Sequence, residues 1–249
     1  MSRTMNAAEE TYVELKQSAE AVGLAINTNK TKLLIQTRSN RPADDIEHVN
    51  RFTYLGMDLV ASSEEEPEIN RRLVLANKAY FAMGHIFKSR DVHRKTKLRV
   101  YKTIIRPIVS YGCETWVVTQ KSANALDVFE RKVLRRILGP IRENNNWRIR
   151  YNREIYEQYS EPTLAQHTKL QRLRWAGHVV RMHENRIPRK LLNARMQGRR
   201  QVGRPKNRWE DEVDEDARNF LGTRSWKRTA VNRNDWRSLL KEAKARFGL

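Results

Sequence analysis

The chain carries almost nothing with which to staple itself. One of its 249 residues is a cysteine, Cys113, so no disulfide can close within the chain and no cysteine-rich zinc site can form. Without a catalytic partner pattern around it, Cys113 reads as a small buried hydrophobe. His178 and His183 are five apart, off the four-residue helical ligand spacing, and no third ligand accompanies them, so no metal site is expected. No stretch approaches the ~20 apolar residues of a membrane span. The N-terminus, MSRTMNAAEE, has no apolar signal-peptide core. These absences predict an intracellular chain with no membrane partner, and they do not separate nucleus from cytoplasm.

Acid is also scarce. There are 29 Asp and Glu against 49 Lys and Arg, a formal net charge of +20. The excess is unevenly placed. Residues 1–66 hold 7 basic and 11 acidic side chains, a net −4, whereas 67–140 hold 16 and 5, and 141–249 hold 26 and 13. An acidic head before a basic body points to a polyanion held by the body. A merely solvated basic surface is the plain alternative.

Periodicity gives the elements. Tyr12, Leu15, Ala19 and Val22 mark an amphipathic helix over 6–22. LAI and KLLIQT, across the polar turn Asn27–Lys30, predict a β-hairpin, and RFTYLGMDLV predicts a strand with Gly56 as kink or bulge. RPADDIEHVN reads as a loop or weak strand pair. After Ser63-x-x-Glu66 and Pro67, a capping-box pattern, Ile69, Leu73, Ala76, Tyr80, Met83 and Phe87 recur at helical spacing. Further helices are expected near 93–105, 121–138, 150–159, 163–182, 206–221 and 234–247, with 139–149 as a loop. Segment 195–208 holds six basic side chains and no acid and reads as an exposed linker. The expected fold is α+β and mainly α. A small hairpin and strand remnant (1–66) precedes a helical body (67–140) and a basic helical C-terminal region (141–249) with its linker near 195–206.

Several words of the sequence carry a resemblance. GLAINTNKTKLL (23–34), FTYLGMDL (52–59), EINRRLVLANKAYF (68–81), LRVYKTIIRPIVSYGCETW (98–116), LDVFERKVLRRILG (126–139), LQRLRWAGHVVRM (170–182), GRPKNRW (203–209) and NDWRSLLKEAK (234–244) stand in one order. They resemble, in that order, the end of the palm, the thumb and the C-terminal tail of the endonuclease/reverse transcriptases of non-LTR retrotransposons. In the family, a catalytic Asp-Asp turn lies just upstream of the part that matches Arg3-Thr4, and an endonuclease domain lies further upstream. Nucleotidyl transfer needs carboxylates converging on two metals. The one Asp-Asp pair here, Asp44-Asp45, follows Pro42 in a polar loop and reads as a solvated turn, and Asp58 reads as structural. The resemblance therefore implies no catalytic residue and no cofactor in these residues, Mg2+ being expected for an intact family member. It implies a chain inactive as a polymerase when alone, whose partners are RNA, DNA or their hybrid and a polypeptide that supplies the missing palm.

The resemblance places Asn27 and Lys30 near the incoming nucleotide, and Tyr54, Leu55 and Gly56 in a primer-grip hairpin. A surface turn and a bulged strand are the plain alternatives. Arg71, Arg72 and Lys78 lie off the apolar stripe of their helix, where they would meet phosphates in a sequence-blind, salt-sensitive way. Lys95, Lys97, Arg99 and Lys102 add a second basic cluster. Arg172, Arg174, Trp175 and Arg181 interleave base and aromatic, as on surfaces for structured RNA or single strands; an amphipathic helix with Trp175 in the core is the other reading. Arg204, within a GRP core (Gly203-Arg204-Pro205) similar to minor-groove peptides, is flanked by Arg199, Arg200, Lys206 and Arg208, or all five simply form a basic linker. Two rivals to a nucleic-acid-holding fragment are an adopted interaction scaffold, not an enzyme, and a non-functional element relic.

Overall fold

The computed structural model describes residues 5–35, 46–62, 64–194 and 207–247. Ser63, Asp44-Asp45, Arg195, the GRP core and Arg199, Arg200, Arg204 and Lys206 lie outside the described residues, so the expectations that rest on them have no structural counterpart here. The chain is mainly helical with small strand pairs. It divides into two compact units, Met1–Glu68 and Ile69–Leu249.

The first unit opens with helix α1 (Met5–Ala21), where the sequence places one, but the helix buries no residue. Leu15 and Val22 of its expected stripe are exposed, as are Val13 and Leu24. The predicted hairpin over 24–37 is replaced, in its described part (24–35), by a different arrangement. The Asn27 side chain accepts the Lys30 backbone N–H at 3.1 Å and closes a one-turn 3-10 helix, Thr28–Lys30. A side chain that satisfies the backbone locally competes with strand pairing. Strand β1 (Lys32–Leu33) then pairs in parallel with β2 (Glu47–His48) instead of folding back on residues 24–26.

The segment predicted as one kinked strand is two: β3 (Arg51–Tyr54) and β4 (Met57–Val60) pair antiparallel, with Tyr54 opposite Met57. Leu55 and Gly56 form the tip at φ +48° and +75°. Positive φ at both central residues matches the right-handed twist of a tight hairpin, and glycine at the second bears it without strain. Asp58 is buried in β4. Its carboxylate accepts from Arg51 Nε (2.8 Å) and Thr53 Oγ1 (2.7 Å), and its N–H donates to Glu68 (2.9 Å).

The second unit begins in helix α2 (Glu66–Ala82), whose stripe of Ile69, Ala76 and Tyr80 is buried. Helix α3 (Gly84–Lys88) adds Phe87. Helix α4 (Arg94–Val100) runs through a π-helical stretch, Tyr101–Ile105, into α5 (Arg106–Val109), so the helix expected to stop at 105 continues past Pro107. Proline offers no N–H and crowds the carbonyl four residues back. The wider turn, with the Arg106 N–H on the Tyr101 carbonyl, accommodates it. Helix α6 (Gln120–Leu138) supplies Leu126, Phe129, Val133, Leu134 and Ile137 to the same core.

The loop expected at 139–149 contains an unpredicted hairpin, β5 (Ile141–Glu143) with β6 (Asn146–Arg148), turned by Asn144 and Asn145 at φ +48° and +66°. Asparagine tolerates this region better than other non-glycine residues. Helices α7 (Asn152–Tyr159), α8 (Leu164–Val180), α9 (Ile187–Asn193), α10 (Trp209–Leu221), α11 (Trp226–Val231) and α12 (Arg233–Phe247) follow. The sequence reading missed α9 and α11, which are short.

Helix α8 joins two cores. Leu164 belongs to the core of α2–α7, whereas Leu173, Ala176 and Val180 pack with α10, α11 and α12. Its first turn is fixed by two carboxylates of α6. Asp127 accepts the Ala165 N–H (3.0 Å) and Glu130 accepts the Leu164 N–H (2.7 Å) and the Tyr101 hydroxyl (2.7 Å). Acidic groups complement the exposed N–H groups and the dipole there. Near its other end, Gly177 faces Trp236, whose indole N–H donates to the Leu173 carbonyl at 3.2 Å. A Cβ on Gly177 would overlap that indole.

Two outcomes follow from this helix. Gly177→Ala should lower stability by about 1–3 kcal/mol in urea melts, overpacking outweighing the ~1 kcal/mol by which alanine favours a helix interior; a gain instead would mean that the Trp236 contact is absent. Burial pushes the Glu130 carboxyl up to about 7, although its hydrogen bonds with Tyr101 and Leu164 oppose this. The folded state therefore binds that proton more tightly than the unfolded one. Its contribution to stability is complete below the ordinary glutamate range and is lost as pH rises through about 7. Urea midpoints between about pH 5 and about pH 8 should fall less in Glu130→Gln than in the parent chain.

Candidate nucleic-acid interface

The residues expected to hold phosphates divide into those the fold consumes and those it leaves charged. Arg172 is consumed. It is 1% exposed. Its guanidinium donates to the Trp116 carbonyl (2.6 Å), to Asp216 (2.9 and 2.5 Å) and to Glu212 (3.0 Å). Lys169 completes the cluster at 3.4 Å from Asp216, so two cations balance two carboxylates. Arg172 is thus a structural residue, not a surface one. The acidic side chains Glu212 and Asp216 of α10 thereby neutralise Arg172.

Others are also engaged. Arg72 is buried, its guanidinium 4.4 Å from the Tyr111 ring centroid. Lys102 pairs with Glu161 at 2.9 Å. Arg181 donates to the Ala230 carbonyl at 2.6 Å. Arg71 is half-buried, and Trp175 is half-buried with its ring 5.4 Å from that of His178. Arg174, Lys78, Arg99 and Arg208 are exposed. Tyr54 and Leu55 stand exposed at the tip of the β3–β4 hairpin, and Lys30 is exposed beside the Asn27 cap.

Lys95 and Lys97 line a cleft of about 1700 Å³ in the second unit. Its walls come from the end of α2, α3, the 89–93 loop, the first turns of α4, the C-terminal half of α6 and residues 149–150. Nine Lys and Arg side chains and His93 line it, and no Asp or Glu does. Asp91, in the same loop, is turned to Ser89, whose hydroxyl lies 3.4 Å from its carboxylate. The sequence reading missed seven of these cations: Lys88, Arg90, Arg94, Lys132, Arg135, Arg136 and Arg150.

The partners of these cations decide the electrostatics. Lys97, 8% exposed, donates to the Ser89 carbonyl at 2.6 Å, and Arg150, 8% exposed, donates to the Gly139 carbonyl at 3.0 Å. Arg135 donates to the Asn152 amide oxygen (2.6 Å), and its Nε is buried without a partner. Lys132 donates to the Asn77 amide oxygen (2.7 Å) and lies 4.6 Å from the Phe81 ring centroid. Every one of these partners is neutral. The side chains are fixed in place while their charge is not cancelled. A buried cation without a carboxylate is costly unless an anion joins it. Arg94 and Lys95 also sit at the start of α4, where the helix dipole disfavours positive charge.

Among the described residues, no group of three or more His, Cys, Asp or Glu side chains is placed to hold a metal ion. The carboxylates nearest to such a role, those of Asp58, Glu212 and Asp216, are committed to arginines, so these residues do not fit the Mg2+ of a polymerase centre. No helix among the described residues is long and apolar enough to cross a membrane.

A relative spans nearly the whole chain. It is an uncharacterized transposon-derived protein of Caenorhabditis elegans, 26% identical over 258 residues, which cover 95% of this chain and 89% of that protein. No family model matches the chain, and no solved structure does.

The division between consumed and charged arginines is open to direct measurement. Arg172→Leu should cost about 3–5 kcal/mol in urea melts, because Glu212 and Asp216 stay buried without their cation. Arg174→Leu, two residues on and exposed, should stay within about 0.5 kcal/mol of the parent. Equal effects would contradict the assignment.

Proposed function

We propose that this chain is transposon-derived and holds nucleic acid by its sugar-phosphate backbone, as the thumb and tail of a reverse transcriptase would, without itself extending a primer. The acid-free cleft carries the proposal. Four of its nine cations are positioned by neutral carbonyls and amides, with no carboxylate in the lining to offset them, which is the arrangement a phosphate chain fits. Three further observations support it: the transposon-derived relative, the order of the sequence words similar to retrotransposon reverse transcriptases, and the +11 excess of residues 67–140. The partner is RNA, DNA or the hybrid, and recognition is sequence-blind because backbone contacts carry no base information.

Among the described residues no group of three or more His, Cys, Asp or Glu is placed to hold a metal ion, so we assign these residues the holding of nucleic acid and not metal-assisted synthesis. A second reading, an adopted protein scaffold, draws on the exposed apolar residues Val13 and Leu15 of α1.

A salt titration separates these readings. The purified 249-residue chain should bind RNA, single-stranded or in an RNA–DNA hybrid, with log affinity falling linearly in log salt, at about −0.7 to −0.9 per phosphate contacted. Primer extension with Mg2+ in the same tube should give no product. Salt-independent capture, or no capture, would overturn the backbone-holding reading. An extended primer would overturn the assignment of synthesis elsewhere.

A further inference from the structure

We infer that the basic cleft takes a single strand, RNA or DNA, in preference to a duplex, with a base stacked on Phe81; this rests on the nucleic-acid reading above and narrows it. The first ground is shape. Lys97 and Arg150 are each 8% exposed, so their charge lies within the cleft, not on its rim. A duplex presents its phosphates on a stiff convex cylinder, which cannot follow a concave wall to such depth. A single strand bends inward at little cost and brings its phosphates to buried cations.

The second ground is the aromatic at the edge. Phe81 lines the cleft and is 67% exposed. It does not dangle. The Lys132 ammonium, tethered to Asn77, lies over its ring, and the Tyr80 ring packs beside it at 5.4 Å between centroids. A ring braced in this way offers a π-face to a base that is free to stack, and bases are free in a single strand but not inside a duplex.

The third ground is the absence of amide and carboxylate side chains from the lining: no Asn, Gln, Asp or Glu is among those residues. Those are the side chains that pair adenine and cytosine edges. Cations with an aromatic give affinity without a strong sequence preference, and nothing in the lining selects ribose over deoxyribose.

The full chain would be titrated by fluorescence anisotropy with labelled oligothymidylate, oligouridylate of the same length, and a blunt duplex of that length, each at several salt concentrations. Both single strands should bind at least about tenfold tighter than the duplex. Phe81→Ala should weaken single strands by about 5- to 100-fold, the worth of one base–aromatic stack, leave the salt slope unchanged, and be rescued by Phe81→Trp. Lys95 and Arg136 are exposed and have no internal partner among the described residues, so Lys95→Ala/Arg136→Ala should fold normally. That double variant should reduce the single-strand salt slope by about 1.4, two phosphates at about 0.7 each. If the duplex binds as tightly as the single strands, or Phe81→Ala changes nothing, the single-strand inference fails while salt-dependent holding stands. If no probe binds, both fail.

Discussion

The buried guanidinium of Arg172 is the interaction on which the second unit depends. Four donated hydrogen bonds draw together three separate pieces of chain: the 113–116 segment through the Trp116 carbonyl, helix α8 that bears the arginine, and helix α10 through Glu212 and Asp216. Trp209 strengthens the same junction by donating its indole N–H to the Glu114 carbonyl at 2.8 Å. An apolar side chain of similar volume could fill the space. It could not satisfy a backbone carbonyl and two carboxylates at once, and it is the carboxylates on one side of α10 that define how that helix is rotated against α8.

The chain therefore uses positive charge in two opposite ways. At the α8–α10 junction, cation and anion numbers match and the charges serve packing. In the cleft, Lys97, Lys132, Arg135 and Arg150 are tied down by groups that bear no charge, and the field they create is left standing. Proximity in sequence does not distinguish the two uses. Arg172 and Arg174 are two residues apart, which on a helix is a rotation of roughly 200°. One therefore enters the core and the other faces solvent.

That rotation also marks how far the sequence could be read. The long helices were legible because their apolar residues recur at 3 and 4, and the stripe from Ile69 to Phe87 packs as its spacing implied. The strands were less legible. Residues 24–37 have the composition of a hairpin, but the Asn27 side chain is taken by the Lys30 N–H, and the partner for Lys32–Leu33 comes from Glu47–His48, beyond a polar stretch. The β5–β6 hairpin escaped notice because IRE and NWR show no alternation, and its turn is made by asparagines, not glycine. For the site, the basic excess was visible as composition. Which cations remain uncancelled was not, because the neutral partners of Lys97, Lys132, Arg135 and Arg150 lie from 8 to 55 residues away in the chain.

Helix α8 has a mechanical consequence. Its first turn is clamped to α6 by Asp127 and Glu130, and its later turns form one wall of the core that holds Trp226 and Trp236. One continuous rod thus enters both cores, with no hinge between them. The C-terminal helices cannot swivel as a tethered appendage. They are carried by the same rod that is bonded to α6, so a load on α6 is shared by both cores rather than taken by one loosely attached lobe.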